Sequence, residues 1–149
     1  MERGKADFRA LREKLGITQN DIARYTHKTL KAVKDWEKET AGAIPPADVW
    51  EWLDDLDEAR TEHIESIVAR IQNMVQLHEG KPQAITLTYY RNAKDYAAYG
   101  RDSGSRDSWL QVNSTTRALA EALQRAGFDT VYRYPTDPDN AYRRAQRIE

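Results

Sequence analysis

The sequence predicts an α+β protein, in which a helical N-terminal part precedes a smaller part that mixes strands and helices. Up to residue 79, apolar side chains recur at spacings of three and four, the period of a helix with one buried face. Gly80 and Pro82 then break that pattern. Beyond them, residues 85–90 are rich in β-branched and aromatic side chains that alternate with period two, as in a strand. We therefore expect five helices, followed by a small α/β part with a three-stranded sheet.

Three short helices open the chain. Helix one is expected at residues 7–15, where Gly16 ends it, and helix two follows Thr18, whose hydroxyl is placed to cap it. Helix three is expected at about residues 29–38. The side chains predicted to share the buried faces of these helices are Phe8, Leu11, Leu15, Ile22, Ala23, Val33 and Trp36.

Two further helices complete the helical part. Pro45 and Pro46 open the fourth helix at its first turn, where the N–H that proline lacks has no partner within the helix. The fifth is long, and its apolar stripe consists of Ile64, Ile67, Val68, Ile71, Met74 and Val75. An acidic cluster lies between the apolar residues of the fourth helix and those of the fifth, and it is interpreted as a solvated helix face or an exposed link between the two helices. Its members are Asp54, Asp55, Asp57 and Glu58.

Strands and helices are expected to alternate in the C-terminal part. A short helix follows the first strand, and a helix capped by Ser114 and stopped by Gly127 lies between the second and third strands. The predicted bounds are 92–99 for the short helix, 100–107 for a flexible loop, 108–113 for strand two, 114–126 for the capped helix and 128–134 for strand three. The predicted segments are a helical domain at 1–80, an α/β domain at 81–135 and a polar tail at 136–149.

Composition excludes several classes of protein. The chain has 149 residues, 32% of them charged, and contains no cysteine, so a disulfide framework, a zinc finger and a cysteine nucleophile are excluded. Three histidines lie far apart, and no metal-ligand spacing joins them. No apolar run approaches the roughly 20 residues of a membrane span, and the charged N-terminus is unlike a signal peptide. We expect a cytoplasmic protein that holds neither a metal nor a cofactor.

The net charge of −1 hides a strong asymmetry along the chain. Residues 1–40 sum to +3, residues 41–80 to −7 and residues 81–149 to +3. A polyanion is therefore expected to dock on the first segment and to be repelled by the second.

The pattern that carries function lies at residues 18–37, where a polar turn of three or four residues joins two short helices. This is the helix-turn-helix pattern, and the N-terminal half of its second helix enters the major groove of DNA. Gln19, at the first turn of helix two, is placed to bind a phosphate oxygen. Glu37 is expected to close a cap or an ion pair. The candidate DNA-binding residues are Gln19, Lys28, Thr29, Leu30, Lys31, Lys34 and Lys38.

Two resemblances sharpen this interpretation. The run at residues 11–23, LREKLGITQNDIA, followed by Trp36 and Glu37, resembles the lambda-repressor-like, or XRE/Cro, DNA-binding domain of bacterial and phage regulators. This resemblance covers roughly residues 6–57. It departs from the common pattern in the turn, where Thr26, His27 and Lys28 replace Leu, Gly and Val.

The whole chain is also similar to the two-domain regulators of the YdiL-like type, to which the anti-CRISPR-associated autorepressors belong. The features shared with them are Trp36-Glu37, then Ala43-Ile44-Pro45, the break at Gly80-Lys81-Pro82, a strand ending in Tyr89-Tyr90, and Ser108-Trp109-Leu110 before an Ala-rich helix. The resemblance implies a homodimer that pairs through its C-terminal α/β part and binds inverted repeats in double-stranded DNA.

Three classes of function stay open at this point. The first is a dimeric, sequence-specific DNA-binding repressor. The second is an antitoxin or adaptor whose C-terminal half binds a protein partner. The third, an enzyme, finds no support, since the sequence holds no Gly-rich phosphate loop, nucleophile elbow or histidine–carboxylate cluster. The tyrosines of the C-terminal part are compatible with base stacking, but strand packing or dimer contacts are the favoured interpretation.

Overall fold

The computed structural model describes residues 2–78, 80–100 and 109–140. The helices and strands, in chain order, are α1 Lys5–Leu15, α2 Gln19–Thr26, α3 Leu30–Glu37, α4 Ala47–Leu77, β1 Ile85–Thr88, α5 Ala93–Tyr99, α6 Trp109–Arg125 and β2 Thr130–Arg133. They form two compact units, Met1–Arg60 and Thr61–Glu149. Each unit has its own hydrophobic core.

The first unit is a small helical domain built around aromatic residues. The ring of Phe8 is fully buried and meets the rings of Trp36 and Trp50 edge to face, with centroids 5.9 and 5.5 Å apart. The other buried members of this core are Leu15, Ile17, Ile22, Val33, Val49 and Leu53. Every residue predicted to face inward from the first three helices is buried in this core or packs against it. The predicted positions of those helices are confirmed to within two residues.

The fourth and fifth predicted helices are one continuous helix, α4, so the prediction of five helices in the N-terminal part was wrong. The acidic stretch that suggested a link contains no Gly or Pro to interrupt the helix. Cations of the first unit neutralise part of it, since Arg3 binds Asp54 at 2.7 Å and Lys14 binds Asp57 at 3.0 Å. The helix therefore continues through these carboxylates.

The second unit is built on a parallel pair of strands. Ile85 lies opposite Thr130, and Thr88 lies opposite Arg133. Its core consists of Leu87, Ala120, Leu123 and Phe128, against which Val68, Ile71 and Val75 of α4 pack. The helix α5 and the stop at Gly127, whose φ is 92°, agree with the sequence predictions. Tyr89 and Tyr132 pack edge to face at 5.4 Å, as expected for strand packing.

The three-stranded sheet was a wrong prediction, because the described part of the chain pairs only β1 with β2. The predicted second strand belongs to the start of α6, and Ser114 lies buried inside that helix instead of capping it. Asn113 of α6 accepts a hydrogen bond from the Tyr90 N–H at 2.9 Å and donates one to the Tyr90 carbonyl at 2.7 Å. The side-chain amide of Asn113 therefore occupies the N–H and the carbonyl of Tyr90, to which a further strand would have to hydrogen-bond.

Two of the predicted segments fall partly outside the described residues: most of the loop at 100–107 and the tail beyond residue 140. The start of the tail packs against the sheet. Asn140 is fully buried and donates to the Thr88 hydroxyl at 3.2 Å and to the Tyr134 carbonyl at 3.1 Å. Across the described ranges, no helix is long and apolar enough to cross a membrane.

Candidate nucleic-acid interface

A reciprocal cap fixes the start of α2. The Thr18 hydroxyl accepts from the Asp21 N–H at 3.1 Å, and the Asp21 carboxylate accepts from the Thr18 N–H at 3.1 Å. The cap leaves Gln19 as the first residue of the helix, half-buried at its edge. The remaining N–H groups of this first turn and the helix dipole create a positive local potential beside Gln19.

The turn between α2 and α3 determines the residue at which α3 begins. His27 ends α2 in the left-handed conformation, at φ 56°, a region that favours glycine. The Lys28 N–H donates to the Ala23 carbonyl at 3.0 Å, and the Thr29 hydroxyl then caps α3 by accepting from the Ala32 N–H at 3.1 Å. The unusual turn residues therefore keep the glycine-type geometry, and α3 begins at Leu30.

The exposed side of α3 carries most of the predicted DNA-binding residues. Val33 and Trp36 are buried, and the opposite side bears exposed residues at its start and along its length: Lys28, Thr29, Lys31, Lys34 and Lys38. Leu30 is half-buried at the first turn. This arrangement gives the helix one apolar face for the core and one cationic face for solvent.

Three of the predicted residues meet in one shallow groove. Gln19, Lys34 and Lys38 line it together with Thr18, Glu37 and two arginines of α1, Arg9 and Arg12. Neither arginine was predicted from the sequence, because the helix-turn-helix pattern places its candidate residues on α2, the turn and α3. Their position on the helix preceding the motif, one turn apart, was the available signal.

The two arginines of the groove have different roles in the fold. Arg12 and Glu37 are almost buried and form a two-pronged ion pair with N–O distances of 2.7 and 2.9 Å, which joins α1 to α3. The expected ion pair of Glu37 is thereby confirmed. Arg9 is exposed and binds Glu13 at 2.6 Å, and this hydrogen bond lowers the pKa of Glu13. Because the Arg9 side chain is exposed, its guanidinium remains accessible at the rim of the groove.

Lys31 is placed apart from that groove. Its ammonium lies 3.2 Å from the carboxylate of Asp35, one turn further along α3. The predicted site residues thus divide into a group along the α1–α3 groove and a group at the start and outer stripe of α3. Both groups belong to the first unit.

A comparison with known families matches most of the chain. A family model described as Aca2/YdiL-like matches residues 4–126, most of the chain. The chain belongs to the Aca2/YdiL-like family. This family consists of regulators, and the matched range includes every residue of the interface described above. A search of the curated proteins finds no match.

Proposed function

We propose that this member of the Aca2/YdiL-like family is a sequence-specific DNA-binding transcriptional regulator, a homodimeric autorepressor that binds an inverted-repeat operator. The observation that carries the proposal is the cationic, solvent-facing side of α3 behind a three-residue turn. A helix of this kind presents its first turns to base edges in the major groove. The buried opposite side, with Val33 and Trp36, holds it rigidly on the domain.

The interface divides its contacts between bases and phosphates. Thr29 caps α3, Lys31 and Lys34 lie on its first two turns, and these three are the proposed base-reading residues. Gln19 and Lys38 lie beside the positive start of α2 and at the end of α3, where phosphate contacts are expected. Arg9, exposed at the rim of the same groove, is a further phosphate contact. Neutralising phosphates releases counterions, so affinity falls steeply with salt.

The second unit is the proposed dimerisation domain. A single helix-turn-helix contacts only a few base pairs, so useful specificity calls for two half-sites. Among the described residues, each strand of the sheet pairs on one side only, and Leu110, Tyr132 and Tyr134 are exposed. Open strand edges and exposed aromatic side chains are features that a partner subunit covers.

Selection of bound duplexes from a random DNA pool tests the proposal. We expect a palindromic consensus and, in sedimentation equilibrium at micromolar concentration, a dimer. Lys31→Ala and Lys34→Ala should keep the parent's melting temperature and lose preference at particular base pairs. A pool that shows no enrichment with the full chain would contradict the proposed function, and a monomer would contradict the dimer.

A further inference from the structure

The outer stripe of α3 carries one acidic group among its lysines. Lys31 and Asp35 are four residues apart on α3, so they share a side of the helix, and Lys28 and Lys38 lie just before and just after α3. The Lys31 ammonium is almost fully exposed, and the Asp35 carboxylate that it binds at 3.2 Å is partly exposed. A donor and an acceptor are therefore presented together to the solvent.

This ion pair contributes little to the stability of the fold. Exposed pairs one turn apart on a helix are weak, and the order with the cation first is the less favourable one. Asp35 also lies in the last turn of α3, where the helix dipole disfavours an anion. Local stability gives no reason to place a carboxylate at this position.

The same carboxylate opposes general attraction to DNA. Lys28, Lys31, Lys34 and Lys38 make this side of the helix cationic, and an added anion among them repels phosphates. Asp35 therefore weakens binding to random sequences. A favourable contribution from this residue has to come from a base.

We propose that Lys31 and Asp35 act as one unit that reads a G·C base pair in the operator, an inference that rests on the proposed function. In the major groove, guanine presents the N7 and O6 acceptors, and cytosine beside it presents the N4 donor. An ammonium can only donate and a carboxylate can only accept, so the pair matches this edge. The ammonium can contact both guanine acceptors at once, whereas an A·T edge separates its two acceptors by the adenine amino group.

Contacts on the inner side of α3 fix the backbone that carries Asp35. The Lys5 ammonium donates to the Asp35 carbonyl at 2.6 Å and to the Ala43 carbonyl at 2.5 Å, which ties the end of α3 to α1 and to the following loop. Trp36, the next residue, is buried in the core. The backbone that carries Asp35 is thereby anchored on the side away from solvent.

Base analogues test the inference with the unmodified full-length chain. In a duplex selected by that chain, each cytosine of a half-site is replaced in turn by N4-methylcytosine, and each guanine by 7-deazaguanine. We expect one G·C pair at which either analogue weakens binding about tenfold, since one removes the N4 donor that faces the groove and the other removes the N7 acceptor. The absence of any such pair would overturn the inference.

A charge-matched pair of variants assigns the two contacts. Asp35→Ala, which removes both the charge and the acceptor, should bind a random-sequence duplex several-fold more tightly than the parent, lose the response to N4-methylcytosine at that pair and keep the response to 7-deazaguanine. Asp55→Ala, an exposed position of α4, makes the same charge change and should keep both responses. If Asp35→Ala responds to both analogues as the parent does, the inference is wrong while DNA binding stands. A parent chain that selects no sequence would instead contradict the proposed function.

Discussion

The two compact units differ in how far their structures follow from neighbouring residues. In the first unit, caps such as that of Thr18 and Asp21 join residues three apart, and the helical period places the core. In the second unit, β1 pairs with a strand 45 residues later, and Asn113 bonds to the backbone of Tyr90. Local patterns therefore determine the first unit, whereas contacts between distant residues determine the second.

The largest expected effect tests the core of the first unit. Trp36→Ala should cost about 3–5 kcal/mol of unfolding free energy, because a large, almost fully buried ring leaves a cavity. DNA binding should disappear with the fold. Thermal melts beside Lys34→Ala check this, since that exposed position should melt like the parent. A Trp36→Ala variant as stable as the parent would show that the aromatic core does not support α3.

The next effect tests the distant contact of the second unit. Asn113→Ala should cost about 2 kcal/mol, because it removes two hydrogen bonds between the buried Asn113 amide and the partly buried backbone of Tyr90. Asn92→Ala is the local control, since exposed Asn92 only caps α5 through the Asp95 N–H at 2.8 Å. Denaturant titration of both variants measures the two costs. If Asn113→Ala costs no more than Asn92→Ala, distant contacts do not stabilise the second unit more than local ones do.

The same contrast explains which elements were predictable from the sequence. Three helices and their caps were readable because Thr18, Gly16 and the apolar spacing act within a few residues. Residues 109–113 suit either a strand or a helix, and the amide of Asn113 decides between them through a contact 23 residues away. The acidic run in α4 was misread for a similar reason, because Arg3 and Lys14 neutralise it from distant positions.

The candidate site was predictable to a similar extent. The sequence placed Lys28, Lys31 and Lys34 on the exposed side of α3, since the helical period alone separates them from Val33 and Trp36. It did not bring Arg9 to the groove, because that position depends on how α1 packs against α3. Nor did it pair Lys31 with Asp35 as one unit, although their spacing of four residues permits it.

An intermediate effect concerns salt and again separates the units. Lys38→Ala should weaken binding to specific and random DNA alike, and it should reduce the slope of log affinity against log salt by about two in a dimer, or about one per subunit. Lys94→Ala, an exposed position of α5 in the second unit, is the matched control and should leave the slope unchanged. Fluorescence anisotropy over a salt series measures both slopes. An unchanged slope for Lys38→Ala would remove this lysine from the interface.

The smallest expected effect depends on pH and concerns the contact between Arg3, which precedes α1, and Asp54 of α4. Arg3 binds Asp54 through two hydrogen bonds of 2.7 and 2.8 Å, and these bonds lower the pKa of Asp54 below its ordinary value. Because the folded-state pKa is the lower one, the stabilisation is present above the unfolded pKa of about 3.9 and is lost as pH falls through the folded value.

Asp54→Asn should therefore lower the unfolding free energy at neutral pH, by less than about 1 kcal/mol, because both side chains are nearly half exposed. The difference from the parent should shrink toward zero as the pH falls through the lowered folded-state pKa of Asp54, below which the parent's carboxyl is also neutral. Asp55→Asn, the exposed neighbour, should show no such convergence, and chemical denaturation of the three chains over a pH series compares them. A difference that persists undiminished in acid would mean that the shape of the Asp54 side chain, and not its charge, holds Arg3 against α4.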